Sequence, residues 1–137
     1  MKRAFRLTGV FLAALLILFG GCSQESKEEH DGKETAYTVV DPDEVPGELK
    51  EIIEKNKENE IKMSYLDGGI LYAVRGYGRQ RTGGYSIQVN SVSQKEGEIY
   101  VNTSLIGPSA DKEIQEEPSY PYLVLNLGKT EGQVVFD

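Results

Sequence analysis

Apolar residues follow three different rhythms along this chain, and each rhythm predicts a different kind of segment. Residues 10–19 are an unbroken apolar run. Residues 23–36 read SQESKEEHDGKETA, with no large apolar side chain, and such a stretch cannot bury a core. Tyr37, Thr38, Val39 and Val40 are aromatic or β-branched and predict a short strand, closed off by Pro42 and Pro46. Leu49, Ile52 and Ile53 then stand three and four apart, one narrow stripe that predicts a helix over 47–57. Pro46 suits the helix start. Glu48 and Glu51 suit the positive end of its dipole, and Glu51 and Lys55 are spaced for an i,i+4 pair.

Beyond residue 60 the period becomes two. Ile61, Met63 and Tyr65 alternate with polar neighbours, residues 70–75 read as a strand, and Tyr85, Ile87 and Val89 alternate again. So do Ile99, Val101 and Thr103, then Leu123, Leu125 and Leu127, with residues 134–136 as a last short strand. Asp67-Gly68-Gly69 and Lys95-Glu96-Gly97 are turn signals between them. Strands in this number, joined by Gly, Pro and Asn turns, predict a mainly β (α+β) fold. The expected form is a small antiparallel β-sandwich or barrel-like domain with one N-terminal helix. A helix stripe this narrow covers one side of a sheet.

The apolar run at residues 10–19 follows Lys2, Arg3 and Arg6 and precedes Gly20, Gly21 and Cys22, the order of a secretory signal. It is about half the roughly 20 residues that span a bilayer. Leu18-Phe19-Gly20-Gly21-Cys22 resembles the lipobox of bacterial lipoproteins, with Phe19 where that family more often has Leu. The resemblance implies a diacylglycerol on the Cys22 thiol and cleavage just before it. Two acyl chains, at about 0.8 kcal/mol per buried methylene, make such an anchor stable. Cys22 is the only cysteine, so no internal disulfide competes for it. The expected organisation is a signal peptide at 1–21, an acylated Cys22 and tether at 22–36, and a folded domain at 37–137. The expected location is the outer face of the cell membrane, held by lipid on Cys22.

Charge and inventory narrow the function. The chain carries 15 basic and 22 acidic residues; without the three basic residues of the first 21 positions, 12 stand against 22, a net charge of -10. A protein this acidic is not built to bind nucleic acid, which needs a basic face. His30, the only histidine, lies in the expected tether. The domain therefore has no Ser/His/Asp or Cys/His set, no Cys/His zinc set and no phosphate-cradling Gly-rich loop ending in Lys and Ser/Thr. The expectation is a protein that is not an enzyme and uses no cofactor and no metal.

One segment breaks the acidic pattern. Residues 75–85, RGYGRQRTGGY, gather three arginines, four glycines and two tyrosines. They read either as a flexible hairpin loop with glycines at positive φ and arginines in solvent, or as an exposed contact loop, since Arg and Tyr anchor interfaces. Tyr120-Pro121-Tyr122, ahead of the Leu-rich strand, reads either as a packed corner or as a binding lip. The candidate contact residues for a partner are thus Arg79, Arg81, Thr82, Gly83, Gly84 and Tyr85, with Tyr120, Pro121 and Tyr122.

Thr82-Gly83-Gly84-Tyr85-Ser86, a strand, Gly97 with Ile99 and Val101 behind it, Gly107-Pro108, Tyr120-Pro121-Tyr122 and a final apolar strand follow one another in order. This order resembles the C-terminal domain of the PrcB-like family, over roughly residues 37–136. Members of that family include an accessory subunit of a secreted bacterial protease complex. The resemblance implies a small β-rich domain, a non-catalytic accessory or binding role in assembling or stabilising a protease, and an extracytoplasmic protein partner. It supplies no catalytic residues. A second likeness is to chagasin-type cysteine-protease inhibitors, which present a Thr-Gly-Tyr loop on a β-sandwich; here the preceding Asn-Pro is missing and Tyr120-Pro121-Tyr122 stands for their Arg-Pro-Trp. It implies the alternative of an inhibitor presenting residues 82–85 and 120–122.

Overall fold

The computed structural model describes residues 32–137; the expected signal peptide, the lipobox with Cys22, and His30 lie outside the described residues. The described elements are β1 (Lys33–Glu34), β2 (Thr38–Val39), a 3-10 turn (Pro42–Glu44), α1 (Gly47–Asn56), β3 (Glu60–Asp67), β4 (Ile70–Tyr77), β5 (Ser86–Lys95), β6 (Glu98–Ile106), β7 (Tyr122–Asn126) and β8 (Gln133–Phe136). They form two four-stranded sheets, β1-β5-β6-β8 and β2-β7-β4-β3. Every pairing is antiparallel except β6 with β8, which is parallel. The two sheets are separate and open, so of the two forms expected the sandwich is correct and the barrel is not.

Hydrophobic burial stacks three layers. Leu71 and Ala73 of β4 and Leu125 and Leu127 at β7 face Val92, Ile99 and Val101 of the other sheet. On the opposite face, Val74, Val124 and Ile61 pack against Leu49 and Ile53 of α1 and against Val45. Leu49 and Ile53 are fully buried, as a one-sided stripe requires. β4 and β7 are thus covered on both faces. This is why residues 70–74, ILYAV, are a continuous apolar run, while β5 and β6 alternate with one face in water.

Two expectations need correction. First, residues 32–36 are not tether. Lys33 pairs with Gln94 and Glu34 with Ser93, and the Thr35 N–H donates to the Val92 carbonyl at 2.9 Å. Gly32 comes so close that a Cβ there would stand 3.0 Å from the Gln94 carbonyl oxygen. An edge strand of this kind is held by backbone groups, which every residue has, so polar composition conceals it. Second, the Glu51–Lys55 pair does not form; Lys57, just past the helix, meets Glu54 at 3.0 Å instead. β5 reaches the Lys95-Glu96-Gly97 turn through a bulge that shifts the register between Val89 and Ser91, and the extra residue moves the core-facing side from Val89 to Val92.

The layering predicts unequal costs for similar truncations. Ile53→Ala and Leu125→Ala each remove a side chain at the centre of a packed layer and lower stability by about 2–5 kcal/mol. Leu66→Ala, at a residue 58% exposed, stays within about 0.5 kcal/mol. Urea unfolding of the three variants checks this, and an Ile53→Ala cost no larger than that of Leu66→Ala would show that α1 is not a structural layer.

Candidate functional site

The two segments singled out by composition lie side by side. β4 ends at Tyr77, and its last residues pair with the start of β7: Gly76 stands opposite Tyr122 and Arg75 opposite Leu123. The chain leaving β4 and the chain entering β7 therefore run together in opposite directions. Tyr77 N–H donates to the Pro121 carbonyl at 3.1 Å, and Gln80 and Ser119 exchange two backbone bonds, at 2.8 and 3.1 Å. Ser119 Oγ donates to the Thr82 carbonyl at 2.7 Å, and Gly83 N–H to the Gln115 carbonyl at 2.9 Å. From the other side, Arg79 N–H donates to the Glu58 carbonyl at 3.2 Å, and Gln80 Nε2 reaches the Tyr77 carbonyl at 3.0 Å. Residues 79–83 thus have a backbone tied at several points. The Arg- and Gly-rich segment is a braced loop, not a free hairpin tip.

Glycines make this bracing fit. Gly78 has φ 79° and lies against the backbone of Glu58 and Asn59. Gly84 has φ 89°, and a Cβ on it would stand 2.8 Å from Pro108 Cβ. Positive φ disfavours other residues at both places, and the close approach adds steric exclusion at Gly84. Tyr85 reaches back over Gly107 in the same way, so Thr-Gly-Gly-Tyr and Gly-Pro meet as packed neighbours.

The arginines divide into two kinds. Arg75 belongs to β4 and not to the loop: its guanidinium pairs with Glu60 at 2.8 Å, donates to the Gly76 carbonyl at 2.7 Å and stacks 3.9 Å from the Tyr77 ring centre. Arg79 and Arg81 are exposed and line one open cleft of about 520 Å³ together with Thr82, Glu116 and Pro118. The Lys57–Glu54 and Arg75–Glu60 ion pairs use neither Arg79 nor Arg81.

The aromatic segment is mostly structural. Tyr122 packs into the α1-side core, and Tyr120 lies under Lys57 Nζ, 5.0 Å from the ring centre. Tyr77 ties the sheets together through its hydroxyl and Thr103 Oγ1, 2.6 Å apart. Near the start of the β6–β7 connection, Ser109 Oγ donates to Asp111 Oδ1. That bond, helped by a backbone hydrogen bond, holds the Asp111 carboxyl below the ordinary carboxylate range. Any stability it contributes is present above the usual carboxylate pKa and is lost as pH falls through the lowered value. Composition missed Gln80, Gln115, Glu116, Pro118 and Ser119, because their roles arise from a pairing between distant segments.

This geometry predicts a contrast between two glycines at positive φ. Gly68→Ala, in open space at φ 59°, costs about 1–2 kcal/mol from backbone strain alone. Gly84→Ala adds a collision with Pro108 and costs a further 1–3 kcal/mol or so. Equal costs in parallel urea titrations would show that the two loops do not pack at Pro108.

Among the described residues no helix is long and apolar enough to cross a membrane, and no three His, Cys, Asp or Glu side chains gather as a metal site. The chain matches none of the curated proteins and none of the solved structures compared with it. Residues 71–127 match the family model described as PrcB C-terminal, a narrower stretch than the order of motifs implied. It runs from β4 through the end of β7 and contains both loops of the braced site, β5 and β6. With these strands and loops inside the matched stretch, the protein carries a PrcB-like C-terminal domain at residues 71–127.

Proposed function

We propose that this protein is a non-catalytic accessory module, held on the outer face of the cell membrane by lipid on Cys22, that binds an extracytoplasmic protein and helps assemble or stabilise a secreted protease complex. The observation that carries this reading is the PrcB-like match, since it contains the whole of the braced double loop. A surface that is already ordered loses little conformational freedom on binding, which suits a docking module. The lipobox-like end of the apolar run and the lone cysteine support the membrane address. The inhibitor alternative has less support, because Tyr122 is packed against the α1-side core and Tyr120 lies beneath Lys57. Neither residue is thereby offered as a lip for insertion into a cleft.

Two measurements test the proposal. Labelled palmitate enters the wild-type protein and is absent from Cys22→Ser, which also leaves the membrane fraction. Partners that co-purify with the wild-type protein from solubilised membranes are lost when Arg79, Arg81 and Tyr85 are all changed to Ala. An unchanged partner set would mean that the braced loops are not the contact, and inhibition of a papain-like protease by the purified protein at micromolar levels would favour the inhibitor instead.

A further inference from the structure

The geometry points to a carboxylate-binding site in the cleft between Arg79 and Arg81, which takes an acidic peptide segment of the partner protein. This rests on the reading of the braced loops as the contact surface and adds the chemistry of what they bind. Positive charge is left over on this loop. In a chain with 22 acidic and 15 basic residues, acids are abundant, and Lys57 and Arg75 each meet one. Among the described residues, the side chains of Arg79 and Arg81 make no ion pair and no hydrogen bond. Glu116 lines the same cleft and is paired with neither.

The two arginines are also placed together. Gln80 is bridged to Ser119 in the antiparallel manner, so its neighbours Arg79 and Arg81 project to the same side, by the alternation of extended backbone. Both line the one cleft. The backbone beneath them is held at Arg79, Gln80, Thr82 and Gly83 by hydrogen bonds to Glu58, Gln115 and Ser119. Two guanidinium groups are therefore presented on a fixed base with their donors unused. A guanidinium fork matches a carboxylate through two parallel N–H···O bonds.

The surrounding charge selects among anions. Glu116 at the cleft opposes dense polyanions, and the net charge of -10 beyond the first 21 residues opposes an anionic bilayer. Separate carboxylates on a peptide carry a lower charge density and lessen both penalties, although Glu116 still opposes them. The cleft is open and polar and fits side chains of a passing segment.

Fluorescence anisotropy with full-length protein in detergent tests this, using a labelled Gly-Glu-Gly-Glu-Gly-Glu peptide and its Gln counterpart at low salt. The Glu peptide binds and the Gln peptide does not, and added salt weakens binding. Arg79→Gln and Arg81→Gln each weaken it about two- to fivefold, the range of an exposed ion pair, and Glu116→Gln strengthens it. Equal binding of the two peptides, or binding indifferent to the double Arg→Gln variant, overturns the proposal. So does Arg-dependent binding to phosphatidylglycerol vesicles without binding of the peptide. If the peptide fails to bind while the Arg/Tyr variant still loses its co-purifying partner, the carboxylate site falls and the contact surface stands. If the peptide binds through the arginines while co-purification ignores them, the site stands and the contact reading falls.

Discussion

The pairing of β4 with β7 is the constraint on which the rest of this structure depends. These two strands are far apart in sequence, and each is buried on both faces, by the second sheet on one side and by α1 on the other. Val74 and Val124 serve the helix layer, while Ala73 and Leu125 serve the sandwich layer. The register that aligns these residues also puts Gly76 opposite Tyr122. The end of one strand and the start of the other are then neighbours, and the loops attached to them have to run together. A slip of one residue would exchange the two faces of a strand and remove both the core and the braced loops.

Electrostatics follows from the same arrangement. Arg75, still inside β4, is drawn into the protein and neutralised by Glu60 on the adjacent strand. Arg79 and Arg81 lie beyond the strand end, where the backbone is held but no acid closes over the side chains. Position relative to the end of β4 thus separates a structural arginine from two available ones, although all three belong to one stretch of sequence.

Much of this is legible in the sequence. The one-sided stripe of α1 and the alternations in β3, β5, β6 and β7 follow from burial of one face, a local pattern. Asp67-Gly68-Gly69 and Lys95-Glu96-Gly97 mark their hairpins because φ is positive at Gly68, Gly69, Glu96 and Gly97. The Arg/Gly/Tyr segment and Tyr120-Pro121-Tyr122 stood out by composition. What stayed hidden was set by contacts between distant residues: the β1 edge at Lys33 and Glu34, the bulge near Asn90, and the bridge from Gln80 to Ser119. Of the two readings of that segment, flexible hairpin or contact loop, the bridge removes the flexible one, and neither Gln nor Ser carries a signal for it.

Amide hydrogen exchange resolved to single residues tests the central claim, that the two loops form one braced surface. The amides of Gln80, Gly83 and Ser119, each donating across the loops, exchange far more slowly than those of Glu113 and Glu117 in the β6–β7 connection. Exchange of Gln80 and Ser119 as fast as Glu113 and Glu117 would contradict it, and the arginines would then sit on a free loop with no fixed site to offer a partner.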